Sequence, residues 1–144
     1  KHWKFIPCGN PVHRRFDFDV YYKLGINISC FRSSRCRIYS DDYFIKKIPS
    51  LRIFEDESGK INKSILDVDG EILLVSQFTL FANTSHGNRP DFLSAELPDK
   101  ANELYLYVYE ELKKAGMKVQ KGVFGADMKI SQVNDGPFTI IMEK

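Results

Sequence analysis

The sequence has few of the features that mark membrane, secreted or metal-binding proteins. No apolar run approaches the roughly 18 residues that a membrane-spanning helix needs, and no signal-peptide pattern opens the chain. Three cysteines, Cys8, Cys30 and Cys36, are odd in number and lack CxxC spacing, which argues against a disulfide framework and against a zinc site. We therefore expect a cytoplasmic protein without metal or cofactor.

Common catalytic signatures are missing as well. The sequence contains no GxGxxG, P-loop, HExxH or GxSxG motif. His86 is the only histidine after residue 13, and a single histidine in a polar loop is more often solvated than catalytic. The carboxylates are scattered, and no spacing brings two together for acid and base catalysis. An enzyme with this sequence must work largely with hydroxyl, amide and backbone groups.

Charge is distributed unevenly along the chain. Residues 1–37 hold 8 Lys and Arg against 2 Asp and no Glu, whereas residues 38–144 hold 13 Lys and Arg against 17 Asp and Glu. A basic arm that binds RNA is one explanation of the first segment. Residues 5–31 are nevertheless too rich in aromatic side chains for a solvated arm.

From residue 43 onward the pattern becomes regular and predicts one mixed α/β domain. Residues 43–48 indicate the end of a helix. The clearest helix covers residues 98–116, with Gly116 at its C-terminal cap and an apolar face that contains Ala101, Leu104, Val108, Leu112 and Ala115. Residues 82–92 are predicted to form a polar loop. Strands are predicted at residues 51–56, 71–81, 117–122, 128–133 and 138–144, the second of them central and buried on both faces. A turn at residues 56–60 leads from the first strand to a second short segment, residues 64–70.

Two segments carry the polar groups that chemistry would need. Ser76, Gln77 and Thr79 interrupt an otherwise apolar strand, and buried hydroxyl and amide groups are costly unless they are hydrogen-bonded. A strand that leaves the core and bonds to a loop would also explain them. In the segment "NDGPFT", residues 134–139, Pro137 cannot donate to a strand ladder and disturbs an otherwise ordinary hairpin turn. This segment is either a turn at a sheet edge or a rigid backbone device whose carbonyl groups face a ligand.

Four segments in order resemble the D-aminoacyl-tRNA deacylase family. They are "LRIFEDESGK", "LLVSQFTLFANT", "GNRPDF" and "FGADMKISQVNDGPFT". Each is weak alone, but together they are specific, and the resemblance covers residues 43–144. It implies an α/β fold, a single domain of packed mixed β-sheets with helices over residues 1–144, and a homodimer. It also implies hydrolysis of the ester that joins a D-amino acid, or glycine, to the end of tRNA.

The resemblance also assigns a role to the Gly-Pro pair. In this family the bond that corresponds to Gly136–Pro137 is cis and reaches into the partner's pocket, where its carbonyl groups exclude an L side chain. Cis bonds are uncommon before proline, about 5–6% in folded proteins, so one in a tight turn implies a purpose. Asn134 and Thr139 flank the pair and are expected to bind substrate with it. Glycine has no side chain to exclude, so glycyl-tRNA should be at least partly accepted.

For catalysis, the resemblance implies that the backbone N–H groups of Phe78 and Thr79 stabilise the oxyanion. Thr79 is either the nucleophile or a positioning residue beside a substrate 2′-hydroxyl that activates water, and we favour the second because no base for Thr79 is evident. Ser76 and Gln77 would orient the ester and the ribose. The adenosine pocket is expected to be lined by Phe124, Gly125, Ala126 and Met128. Candidate contacts to tRNA phosphates are Lys46, Lys47, Lys113, Lys114 and Lys121.

Residues 1–42 depart from the family pattern. The span around Pro11, Arg14 and Arg15 fits a buried strand poorly, so we expect this segment to be irregular and the dimer and activity to be affected. A related animal enzyme with a trans proline motif and a histidine after the threonine is disfavoured by the "GPFTI" sequence. The remaining alternative is a catalytically impaired module that binds the tRNA end or adenosine.

Overall fold

A computed structural model describes residues 2–7, 18–21, 25–30, 39–131 and 139–142, with side chains from 42 to 130 and from 139 to 142. Two short 3₁₀ turns, Ile48–Ser50 and Phe78–Phe81, supplement the regular elements. The elements are β1 (His2–Pro7), β2 (Phe18–Tyr21), β3 (Gly25–Cys30), α1 (Tyr39–Lys47), β4 (Phe54–Glu55), β5 (Ile61–Lys63), β6 (Glu71–Ser76), α2 (Pro98–Lys114), β7 (Lys118–Lys121) and β8 (Met128–Ser131).

The described strands form two three-stranded sheets and a hairpin. One sheet has the order β2-β1-β8 and is antiparallel, and the other has the order β3-β6-β7 and is parallel. Strands β4 and β5 make the hairpin. Helix α2 connects β6 to β7 and supplies the crossover that a parallel pair requires. The predicted fold class, α/β with packed mixed sheets and helices, is confirmed.

Strand β6 is buried on both faces, as the sequence predicts. Ile72 and Leu74 point into the cluster that contains the α2 side chains, whereas Leu73 and Val75 pack against Met128 of β8. Successive side chains of a strand point to opposite faces, so β6 contacts the helix on one side and the antiparallel sheet on the other. The end of β6 is therefore held firmly from two directions.

Helix α2 begins at Pro98 and ends at Lys114, close to the predicted bounds. Gly116 adopts φ +85°, the left-handed conformation expected of a C-terminal cap. The buried face consists of Tyr105, Val108 and Leu112. Burying Leu112 fully contributes about 2 kcal/mol of transfer free energy.

Two details of the predicted apolar face of α2 are wrong. Tyr105 is buried although the sequence pattern passed over it, and Ala115 is exposed. The tyrosine can be buried because its hydroxyl finds partners inside the protein. Ala115 already lies at the C-terminal cap, beyond the last buried turn.

The expectation that residues 1–42 are irregular is wrong for the described parts of that segment. Strand β1 pairs with β2 and with β8, and β3 pairs with β6 from Gly25 opposite Glu71 to Cys30 opposite Ser76. The aromatic residues of β1 and the isoleucines of β3 favour extended backbone. The proline and paired arginines that argued against strands lie between these segments, at positions 11, 14 and 15, outside the described residues.

Several predicted strands have different limits. The strand predicted at 51–56 is confined to Phe54–Glu55, and its partner in the hairpin is Ile61–Lys63. The short segment at residues 64–70 contains a turn. The strand predicted at 71–81 ends at Ser76, and a 3₁₀ turn begins two residues later, at Phe78. Residues 139–142, the described part of the strand predicted at 138–144, are not in a strand, and Ile141 there is 77% exposed. Residues with high β-propensity form a strand only where a neighbouring strand and a buried surface are available to them.

Candidate active site

The predicted catalytic segment and the predicted adenosine segment follow neighbouring parallel strands. Leu74 of β6 is opposite Lys121 of β7, so the carboxyl ends of both strands lie at the same edge of the sheet. Residues 76–79 continue from β6, and residues 122–128 continue from β7. Ligands of open α/β sheets commonly bind at this edge. The structure thus brings the predicted catalytic segment and the predicted adenosine segment together.

A buried hydrogen-bond cluster fixes the two segments to each other. The Gly122 N–H donates to the Leu74 carbonyl oxygen at 2.9 Å. The Tyr105 hydroxyl lies 2.9 Å from the same oxygen and 3.1 Å from the Gly122 carbonyl oxygen. Both lone pairs of the Leu74 carbonyl are therefore used, and α2 ties the start of each segment to the core.

Ser76 and Gln77 mark the change from strand to turn. Ser76 is the last residue of β6 and is half-buried. Gln77 has extended backbone with φ −149° and ψ 92°, and the turn Phe78–Phe81 follows it. The Ala82 N–H closes that turn by donating to the Thr79 carbonyl at 3.1 Å.

The start of this turn presents backbone donors. The first N–H groups of a helical turn have no acceptor within the turn. Within the described part of the chain, the Gln77 side chain makes no capping hydrogen bond to them. The N–H groups of Phe78 and Thr79 begin this turn, and both residues are exposed.

Thr79 is hydrogen-bonded to an amide. The Gln77 Nε2 atom donates to the Thr79 Oγ1 atom. An amide side chain cannot take a proton from a hydroxyl at neutral pH, whichever way its oxygen and nitrogen are oriented. Among the described residues, the Thr79 side chain makes this hydrogen bond and no other. The contact therefore orients the hydroxyl and supplies no base for it.

Phe92 lies beside the catalytic segment, although sequence analysis did not select it. The Phe78 and Phe92 rings are edge to face, with centroids 5.0 Å apart. The polar loop between them is closed by Asn83 and Asp91, whose backbones form a bridge and whose side chains bond at 3.0 Å. The last two residues of the "GNRPDF" segment, Asp91 and Phe92, therefore close this loop and contact Phe78.

Residues 122–128 form a compact turn after β7. Gly125 adopts φ +69°, and the Ala126 N–H donates to the Val123 carbonyl at 3.2 Å. The Phe124 ring lies 5.9 Å from the Tyr105 ring, centroid to centroid. Met128 packs against the β6 side chains Leu73 and Val75. Phe124 and Met128 are half-buried, so they offer apolar surface at the edge of the sheet while anchoring the turn.

Three of the remaining predicted site residues, Asn134, Gly136 and Pro137, lie outside the described residues, so the cis conformation of Gly136–Pro137 stays a prediction. Thr139 is described and exposed. His86 is exposed in the loop, which agrees with a solvated histidine.

The candidate phosphate contacts differ in their surroundings. Lys114 bonds to Glu111 at 2.5 Å, and Lys118, which was not selected, bonds to Asp69. These hydrogen bonds raise the pKa of each lysine. Lys113 and Lys121 instead lie over aromatic rings. Lys46 and Lys47 are exposed in the last turn of α1.

The described residues offer neither a metal cluster nor a membrane span. They contain no group of three or more His, Cys, Asp or Glu side chains arranged to hold a metal ion. In the same part of the chain, no helix combines the length and apolarity needed to cross a bilayer.

Comparison with known proteins gives consistent matches. A family model described as D-Tyr-tRNA(Tyr) deacylase matches residues 36–143. The D-aminoacyl-tRNA deacylase of Syntrophomonas wolfei is 52% identical over 102 residues, which cover 71% of this chain and 68% of that protein. The D-aminoacyl-tRNA deacylase of Bacillus thuringiensis is 52% identical over 101 residues, 70% of this chain and 69% of that protein.

Solved structures extend the likeness to the start of the chain. A protein described as c-Myc DNA Unwinding Element Binding Protein superposes with a TM-score of 0.81 at 34% identity, over 99% of this chain and 93% of that one. A structure described as a probable eukaryotic D-amino acid tRNA deacylase has a TM-score of 0.65 at 16% identity, over 94% of this chain and 90% of that one, and supports the fold alone.

Proposed function

This chain belongs to the D-Tyr-tRNA(Tyr) deacylase family and is a D-aminoacyl-tRNA deacylase, a hydrolase, and we propose that the edge formed by residues 76–79 and 122–128 is its active site. The observation that carries this assignment is the Leu74 carbonyl, which binds both Tyr105 and Gly122. Through it, the catalytic turn, residues 76–79, and the nucleoside turn, residues 122–128, are both attached to helix α2. A displacement of either turn would separate the ester from the groups that act on it.

In the proposed mechanism, the N–H groups of Phe78 and Thr79 stabilise the oxyanion as water attacks the ester carbonyl. Backbone donors that are already oriented are effective because they need no reorganisation when charge develops. Ser76 and Gln77 orient the ester and the terminal ribose. The 2′-hydroxyl of the substrate assists the water, since the amide beside Thr79 cannot act as a base.

The terminal adenosine is proposed to bind at the turn of residues 124–128. Phe124 and Met128 supply apolar surface for the base, and the positive φ of Gly125 turns the backbone around it. Gly125 and Ala126 carry no bulk at this position, so the nucleoside can approach their backbone closely.

Chiral selection is proposed to come from exclusion by a second subunit. Gly136 and Pro137 of the partner would occupy the space that an L side chain requires, with Asn134 and Thr139 beside them. A D side chain would point outward, and glycine would be accepted because it has nothing to exclude. Support for this proposal is the family relationship over residues 36–143, which includes the Gly-Pro segment.

A homodimer is proposed on the same basis. The segments around the catalytic turn carry large apolar side chains at the surface of the single chain. Leu93 is 87% exposed, Leu97 73%, Phe78 58% and Leu80 57%. Large apolar side chains with this exposure are candidates for an interaction site, and we propose that a second copy covers them. We place the enzyme in the cytoplasm because its aminoacyl-tRNA substrate is used there.

The test is a deacylation assay of the purified protein on matched D- and L-aminoacyl-tRNA and on glycyl-tRNA. We expect hydrolysis of the D-aminoacyl and glycyl esters and sparing of the L-aminoacyl ester. The rival function, a module that binds the tRNA end without catalysis, predicts tRNA binding with no turnover of any ester. Equal hydrolysis of D and L esters would refute the proposed exclusion.

A further inference from the structure

Two lysines from different elements share one tyrosine ring. The Lys113 Nζ atom lies 5.1 Å from the Tyr109 ring centroid, and the Lys121 Nζ atom lies 5.2 Å from it. Lys113 is one helical turn beyond Tyr109 on α2, and Lys121 is the last residue of β7. Both lysines are exposed. The fold, rather than local sequence, therefore brings these two positive charges together.

Among the described residues, two neighbouring lysines have carboxylate partners, whereas Lys113 and Lys121 have none. Lys114 and Lys118 bond to carboxylates. Within the described residues, no carboxylate forms an ion pair with Lys113 or Lys121. Each ammonium group lies near the same ring centroid, so the two are at most about 10 Å apart, a distance comparable to the Debye length of about 8 Å at physiological salt. An anion bound here would remove their mutual repulsion.

The lysine pair lies next to the proposed nucleoside turn. Lys121 also lies 6.0 Å from the centroid of the Tyr105 ring, whose hydroxyl holds Leu74 and Gly122. Gly122 is the next residue along the chain and begins the turn that leads to Phe124. A terminal adenosine in that turn carries its phosphate chain with it, so the phosphates must pass over nearby surface.

We infer that Lys113 and Lys121, held by Tyr109, bind backbone phosphates of the tRNA acceptor end while residues 124–128 hold the terminal adenosine. This inference rests on the proposed function. Ammonium groups act as point charges toward phosphate, and their contacts release counterions and make binding dependent on salt. The contact carries no base information and serves to place the acceptor end.

The first test measures the Kd of uncharged tRNA over a range of salt concentrations. The variant is K113Q with K121Q, and its matched control is K63Q with K118Q, which removes the same charge from two lysines that pair with Glu57 and Asp69 and were not selected as phosphate contacts. Loss of two phosphate contacts should make the slope of log K against log salt shallower by about 1.4 to 1.8 and weaken low-salt binding on the order of tenfold. The control should change the slope by less than half as much.

The second test separates binding from catalysis. With D-aminoacyl-tRNA, the Lys113 and Lys121 double variant should raise KM and leave kcat unchanged, and K113R with K121R should restore KM. A B-form DNA duplex of acceptor-stem length should bind the wild type more weakly than tRNA does. Equal salt slopes for the variant and its control, a fall in kcat alone, or equal affinity for the DNA duplex would each overturn the inference. A wild-type protein that fails to hydrolyse D-aminoacyl-tRNA would overturn the proposed function, and the Kd comparison would still decide the lysine contacts.

Discussion

The Tyr105 hydroxyl lies 2.9 Å from the Leu74 carbonyl oxygen, across 31 residues of sequence, and joins α2 to the end of β6. Tyr105→Phe keeps the ring and removes this bond. We expect a loss of about 1 to 3 kcal/mol in the free energy of unfolding, because buried carbonyl groups lose a donor. Chemical denaturation measures the loss. Tyr107→Phe is the control, since its hydroxyl bonds to Asp42 at the surface, and an equal loss in both variants would contradict the prediction.

The sequence predicted those elements whose side-chain pattern and caps agree. Helix α2 has an apolar period, Pro98 at its start and Gly116 after its end, and the structure places it within two residues of the predicted limits. Strand β6 is apolar from Ile72 to Val75 and all four side chains are buried, a pattern typical of a strand that is covered on both faces. In both elements, local propensity and tertiary burial favour the same conformation.

The features predicted wrongly are those whose burial or conformation depends on tertiary contacts. Tyr105 is buried because two backbone carbonyls come within reach of its hydroxyl, and neither position can be read from the sequence around it. The short strands β4 and β5 are limited by a hairpin centred on Asp56, whose carboxylate binds Ser58, Lys60 and Asn62. Residues 78–81 look like a strand continuation, but exposure of Phe78 and Thr79 shows that the sheet has already ended.

Gly125 and Gly116 allow a matched test of the nucleoside turn. Both have positive φ, and an added Cβ would meet nothing within 4 Å at either position. Alanine should therefore cost each site about 1 to 2 kcal/mol through backbone strain alone. Gly125→Ala should also lower kcat/KM on the order of tenfold by shifting the turn, while Gly116→Ala should leave it unchanged in folded protein. Unaltered kinetics of Gly125→Ala would exclude this turn from substrate binding.

The stability of the β4–β5 hairpin should depend on acid through Asp56. The Ser58 hydroxyl and then the Lys60 N–H lower the Asp56 pKa from 3.8 to about 2. A depressed folded-state pKa gives stability that is present above the unfolded value and is lost as pH falls toward the folded value. The advantage of wild type over Asp56→Asn, measured as the denaturation midpoint, should therefore shrink between about pH 4 and about pH 2. Asp127→Asn serves as the control, and a gap for Asp56→Asn that is constant with pH would contradict the assignment.

Leu93 tests the proposed dimer. A glutamate at this 87% exposed position would place a charge in the proposed interface without disturbing the core of the monomer. We expect Leu93→Glu to weaken dimerisation on the order of 30-fold, the effect of losing about 2 kcal/mol at a central contact. Sedimentation velocity reports the change, and kcat/KM should fall with it if the partner completes the site. Leu66→Glu, at an exposed leucine in the turn after β5, should remain dimeric, and dimerisation of both variants alike would exclude the Leu93 surface.

Thr79 distinguishes the two possible sources of the attacking group. If Thr79 only positions the ester, Thr79→Ala should keep kcat within about tenfold of wild type, whereas removal of a nucleophile typically costs on the order of a million-fold. The Gln77 amide beside its hydroxyl cannot accept the proton that an attacking threonine must lose, so we expect the smaller effect.

The converse substrate is tRNA that ends in 2′-deoxyadenosine, which should be hydrolysed far more slowly by the wild type because the assisting hydroxyl is absent. Single-turnover rates on both substrates, with circular dichroism to verify folding, make the comparison. Rapid hydrolysis of the deoxy substrate together with an inactive Thr79→Ala would establish threonine as the nucleophile and reject assistance by the substrate.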